Sequence, residues 1–145
     1  MSAHPIADYA LLSDRHGSAL VCRNGSVDWL CLPRFDSPAQ LACLLDADAG
    51  HFRVVPQDVQ AINRRYLPES LVLETSFRCR DGSVTLRDAL AMGADDQVNT
   101  LGYGAPHLLL RELVVAQVLV GFVVALAIFV GTPLGEAANP GMSPH

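Results

Sequence analysis

The chain changes character at Arg111–Glu112. From Leu113 to Val130 it reads LVVAQVLVGFVVALAIFV, eighteen residues in which Gln117 is the one polar side chain. A run this long and apolar belongs in a membrane, at the centre of a large protein, or in a pair of buried strands. As a helix it would extend about 27 Å, close to the ~30 Å of bilayer hydrocarbon. Gly131, Thr132 and Pro133 would stop it. Its Val content suits strands, yet a strand pair needs a turn. Gly121–Phe122 is the one candidate, with no Asn-Gly, Asp-Gly or Pro in the run. A domain of about 110 residues could hardly surround an all-apolar helix. The expectation is therefore one long apolar helix over 113–131, spanning a membrane, with a loop-like tail over 132–145. Arg111 before the run and Glu136 after it favour an N-terminal side facing the cytoplasm, anchored at an inner membrane.

Residues 1–112 are of a different kind. They hold all ten Arg and fourteen of the fifteen acidic residues, a net charge of −4, and no Lys. With half of the 145 residues hydrophobic, wholesale disorder is excluded. A pI near 5.4 argues against a nucleic-acid partner. Met1–Ile6 contains His and Pro and leads into no apolar h-region, so no signal peptide is expected. Cys22, Cys31, Cys43 and Cys79 form no CxxC pair, which predicts scattered buried thiols rather than a zinc site or a disulfide framework.

Short strands with tight turns dominate this part. SALVCR (18–23) and VDWLCL (27–32) flank Asn24-Gly25, a strong hairpin signal. A two-residue turn there would set Cys22 opposite Val27 and Leu20 opposite Trp29. Leu20, Cys22, Val27, Trp29 and Cys31 would then share one face, with Asp28 on the other. Ser37-Pro38 would start a short helix over Ala39–Leu45, on the spacing of Leu41, Leu44 and Leu45. Further strands are expected at His51–Val55, Ala61–Leu67, Leu71–Arg78, Ser83–Ala89 and Pro106–Leu113, the third and fourth joined at Asp81-Gly82. The fold class that follows is mainly β: an antiparallel sandwich over 1–112, truncated, then the apolar helix.

These tracts resemble a known family. Ile6-Ala7-Asp8-Tyr9 with Leu12, then the fifteen residues from Asn24 to Pro38, NGSVDWLCLPRFDSP, are similar to the opening of family 15 glycoside hydrolases, the glucoamylase and trehalase-like enzymes. The likeness continues at Gly50-His51-Phe52, Arg65–Pro68, Leu71–Thr75, Asp81-Gly82 and Pro106–Arg111, and covers about residues 6–112. It implies an N-terminal β-sandwich, followed in the family by an (α/α) barrel that carries two catalytic Glu residues and hydrolyses α-glucosidic bonds with inversion. On that basis this stretch holds no catalytic residue, the barrel is missing, and an α-glucoside is the ligand of the full-length parent. Residues 113–144, the apolar run and the loop from Pro133 to Pro144, resemble a membrane helix and the loop after it in the C-terminal half of cytochrome b from quinol–cytochrome c reductases, which implies a join between two truncated frames. Two other functions follow from these features: a membrane-anchored interaction module, and a fragment of a respiratory complex.

Inverting hydrolysis needs two carboxyl groups roughly 6.5–9.5 Å apart, one protonated and one activating water. Asp28, Asp36, Glu69 and Glu74 are the candidates in the N-terminal part. Asp28 is expected to pair with an Arg, and Asp36 or Ser37 to cap the helix at 39–45. The resemblance implies that Trp29, Arg34 and Asp36 line the junction with the barrel, as sugar-site contacts. His4, His16, His51, His107 and His145 have no HxxxH or HxH spacing, so no metal is expected, and no cofactor motif occurs. A sandwich cut short would expose strand edges, favouring aggregation or homo-oligomers.

Overall fold

The computed structural model describes residues 4–93, 105–117 and 123–131, which form two antiparallel sheets. After one 3-10 turn at Ile6–Asp8, sheet A runs β1 (Tyr9–Ser13), β2 (Ser18–Cys22), β3 (Ser26–Cys31) and β4 (Phe52–Arg53). Sheet B runs β5 (Val59–Tyr66), β6 (Leu73–Cys79), β7 (Gly82–Leu90), β8 (Leu108–Gln117) and β9 (Val123–Gly131). In both sheets spatial order equals chain order, so each is a meander of neighbouring strands. The two form the expected β-sandwich. Ala10, Leu12, Ala19, Val21, Val27 and Leu30 of sheet A meet Leu73, Leu90 and Leu109 of sheet B in one buried cluster. Burying a Leu or Val side chain stabilises by about 1.5–3 kcal/mol each, so this contact holds the sheets together.

The described residues of the apolar run, 113–117 and 123–130, lie in a pair of strands and not in a helix. β8 pairs with β9 from Leu108↔Gly131 to Ala116↔Val123, and with β7 from Gly82↔Gln117 to Leu90↔Leu109. Both edges of β8 are thus hydrogen-bonded, and the β-branched residues of the run find the extended conformation they favour. An apolar run paired between neighbouring strands reads the same as a membrane span when no turn residue punctuates it. Among the described residues no helix is long and apolar enough to cross a membrane. The turn candidate Gly121–Phe122, and the tail that resembles cytochrome b, lie outside the described residues. Arg111 and Glu112, where the composition changes, stand in the middle of β8.

The helix expected at Ala39–Leu45 is also absent. This segment lies along β3, where Gln40 donates its backbone N–H to the Leu30 carbonyl and Leu30 donates back to that of Leu41. Leu44 donates to the carbonyl of Asp28. The neighbouring strand offers partners that the isolated helical spacing cannot reveal, and a single turn at 42–46 is all that remains of it.

Leu20 opposes Trp29 as the hairpin register requires, but Val27 opposes Val21 and not Cys22. The turn is one residue longer than the Asn-Gly signal suggests. Gly25 donates to the Cys22 carbonyl with a φ of +82°, closing a three-residue loop over Arg23, Asn24 and Gly25. The pairing then skips Asp28, which stands as the extra residue of a β-bulge between Val27 and Trp29.

Candidate binding site

The bulge places Asp28 in a recess on sheet A. β1 brings Tyr9 level with Cys22, next to the bulged strand, and the Tyr9 hydroxyl donates to Asp28 Oδ2 at 2.9 Å. Ser26, two residues earlier on the same strand, donates its hydroxyl to Asp28 Oδ1. Asn24 Oδ1 accepts from the backbone N–H of Ser26, and its amide nitrogen lies 3.4 Å from His4 Nε2. The segment at 42–46, pinned by Leu44 to the Asp28 carbonyl, forms one wall. The recess has a volume of about 420 Å³; its lining includes the buried Asp28 and Ser26, the half-buried Tyr9, and, at its exposed rim, Leu44, Leu45, His51 and Arg53.

Burial raises the pKa of the Tyr9 phenol well above its ordinary value, and the Asp28 carboxyl raises it further. Tyr9 therefore holds its proton and acts as a fixed donor. Burial likewise pushes up the thiols of Cys22 and Cys43, which keeps them protonated and poorly nucleophilic.

The remaining carboxyl groups have structural partners. On the outer face of sheet B, register lines up Arg65, Glu74, Arg87 and Glu112 across four strands. Arg65 and Arg87 contact the two oxygens of Glu74 at 2.8 and 3.0 Å, and Arg87 reaches Glu112 at 3.1 Å. These guanidinium groups hold the Glu74 carboxyl below the usual range. On the inner face Asp88 pairs with Arg111 at 2.7 Å, and burial outweighs that partner, raising the pKa of Asp88. Asp14 Oδ1 accepts from the backbone N–H groups of His16 and Gly17, and its Oδ2 lies 3.6 Å from His107 Nδ1. Glu69 is exposed in the turn before β6.

Trp29 is half-buried on β3 opposite Leu20. Arg34 and Asp36 meet in the exposed loop after β3, Nε to Oδ1 at 2.9 Å and a second contact at 3.1 Å. Arg34 lowers the Asp36 carboxyl, and both groups stand in solvent. None of these three lines the recess. Ser37 does not cap a helix; its hydroxyl accepts from the backbone N–H of Arg34. Asp28 is held by Tyr9 and Ser26 and not by an Arg. Sequence reasoning missed the three-way contact of Tyr9, Ser26 and Asp28. The i, i+2 spacing of Ser26 and Asp28 next to a turn was a usable signal, but the bulge was not. Among the described residues no group of three His, Cys, Asp or Glu side chains could hold a metal ion.

The fold and these contacts define a mainly β, two-sheet domain with a polar recess around Asp28 and a charged core pair. The family of trehalase-like N-terminal domains matches residues 1–102, and the chain belongs to it. The chain is 44% identical over 119 residues to the trehalase of Mycolicibacterium smegmatis, an alignment covering 75% of this chain and 18% of that protein. The trehalase of Mycobacterium tuberculosis matches with the same identity and coverage. Trehalase 2 of Sulfolobus acidocaldarius is 37% identical over 86 residues, 59% of this chain and 14% of that protein. The chain thus spans less than a fifth of the length of the curated relatives it matches. No solved structure matches it.

Proposed function

We propose that this chain is the accessory β-sandwich of a trehalase-like glycoside hydrolase, a rigid block beside which a catalytic portion cleaves α-glucosidic bonds, and that it cleaves none by itself. The observation that carries this reading is the state of its buried carboxyl groups. An inverting mechanism needs a proton-loaded acid and a second carboxylate free to activate water across a sugar-sized gap. Glu74 sits between two guanidinium groups that hold it deprotonated, which makes it a poor acid. Asp88 has the raised pKa of an acid but is fully buried against Arg111, where neither water nor sugar reaches it. Asp28 already accepts hydrogen bonds from two hydroxyl groups. Family membership supports the same conclusion, because the match is to an N-terminal domain. The test is glucose release from trehalose and maltose by the purified chain. Release no faster than in buffer supports the reading, and turnover proportional to protein concentration overturns it.

A further inference from the structure

We infer that the recess around Asp28 is a binding site for a neutral, polyhydroxylated small molecule of the carbohydrate class. The inference rests on the accessory-domain reading only for the choice of sugar probes. The volume of about 420 Å³ falls within the range of small-molecule sites, about 300–1,000 Å³. A carboxylate offers about four acceptor positions. Tyr9 and Ser26 fill two of those on Asp28, and among the described residues no basic side chain pairs with it. A largely buried carboxylate with acceptor capacity to spare, facing an open recess, calls for further donors.

The charge of the lining selects the ligand. An anion would meet the Asp28 carboxylate at the inner end. A cation would meet Arg53 in the lining. A sugar meets neither obstacle, because each hydroxyl donates and accepts. Its hydroxyls donate inward to Asp28 and accept from Arg53 and His51 at the rim, while its C–H face lies on Leu44 and Leu45. Tyr9, held protonated, and Ser26 fix the carboxylate before any ligand arrives, so little ordering cost remains for binding. The bulge at Asp28 is the backbone device that makes this possible, since a regular strand would not leave this residue outside the pairing.

The test is a ¹H–¹⁵N NMR titration of the full chain with trehalose and with glucose, using sodium sulfate and spermidine as the anionic and cationic probes. We expect saturable sugar binding with a Kd on the order of 1 mM, and shifts centred on Ser26, Asp28, His51 and Arg53. D28N should weaken binding by about tenfold, the effect of losing a charged hydrogen-bond acceptor. R53A, at an exposed rim position, leaves the fold intact and should weaken binding severalfold, so it decides the matter if D28N fails to fold. The inference is overturned by no saturable shift with either sugar, by shifts that map elsewhere, by unchanged affinity in R53A, or by tighter binding of sulfate or spermidine at this recess. Glucose release is read separately: turnover would sink the accessory-domain reading, and absent binding would sink this one alone.

Discussion

Arg111 and Asp88 face each other across β8 and β7, joined by Nε to Oδ1 at 2.7 Å and a second contact from the guanidinium to Oδ2 at 3.2 Å. They are 1% and 0% exposed. The same guanidinium donates to the carbonyl oxygens of Gly25 and Phe52, both at 2.8 Å, and stacks 4.9 Å over the Phe52 ring. One side chain of sheet B thus satisfies backbone acceptors at two points of sheet A. It fixes how the sheets sit as well as how strongly they adhere.

Removing one member of this pair strands the other in the core. We expect R111M to lose about 3–5 kcal/mol of stability, the cost of an uncompensated buried charge. R111M combined with D88L should recover much of that loss, because both charges leave together. Urea unfolding of the two variants checks this. A loss below about 1 kcal/mol in R111M would show that the pair is not structural.

Gly25 tolerates no side chain. Its φ is +82°, and a Cβ would lie 2.5 Å from the backbone oxygen of Val54 and 3.1 Å from the Phe77 ring. The obstructing atom is backbone in the connection after β4 and cannot swing away. We expect G25A to cost on the order of 1–3 kcal/mol. Thermal unfolding measures it, and an unchanged midpoint would contradict the turn geometry.

Acid should weaken the charge ladder on sheet B. The folded Glu74 carboxyl is held below its ordinary value by Arg65 and Arg87. Its contribution is therefore present above the ordinary Glu pKa, about 4.3, and is lost as pH falls through the depressed folded value. Arg65 is 65% exposed and Arg87 42%, so solvent limits the gain to about 1 kcal/mol or less. Asp88 acts with the opposite sign: its raised folded pKa favours the native state below the ordinary Asp value and is a penalty above it. We expect E74Q to flatten the acid limb of stability against pH and to leave the Asp88 contribution in place. An E74Q profile parallel to the parent's would count against the ladder.

The phenol of Tyr9 provides a spectroscopic handle on the recess. The chain has three tyrosines, Tyr9, Tyr66 and Tyr103. With burial and Asp28 both raising it, Tyr9 should ionise well above the ordinary value of about 10. Alkaline titration at the tyrosinate absorbance should show a late component that disappears in Y9F. A late component that persists in Y9F would place the perturbed phenol elsewhere.

Much of this architecture was legible in the residues. Asn24-Gly25 and Asp81-Gly82 mark real hairpins, and Leu73, Thr75 and Phe77 alternate onto the buried face of β6 as their spacing requires. The ion-pair pattern was present too. Arg87-Asp88 and Arg111-Glu112 are complementary dipeptides, and antiparallel pairing sets Arg87 against Glu112 outside and Asp88 against Arg111 inside. What sequence could not show depends on neighbours. The strand state of 113–117 and 123–130 comes from hydrogen bonding on both edges of β8, which hydrophobic length does not encode. The helix spacing at 39–45 yields to the free edge of β3. The recess exists because the register slips by one residue at Asp28, and Tyr9 reaches it from another strand.

Glucose release from trehalose by the purified chain is the decisive assay. With Glu74 held between two guanidinium groups, Asp88 enclosed against Arg111, and Asp28 hydrogen-bonded to Tyr9 and Ser26, hydrolysis should not exceed the buffer rate. Protein-dependent turnover that D28N or E74Q abolishes would mean that a working acid–base pair resides in this domain.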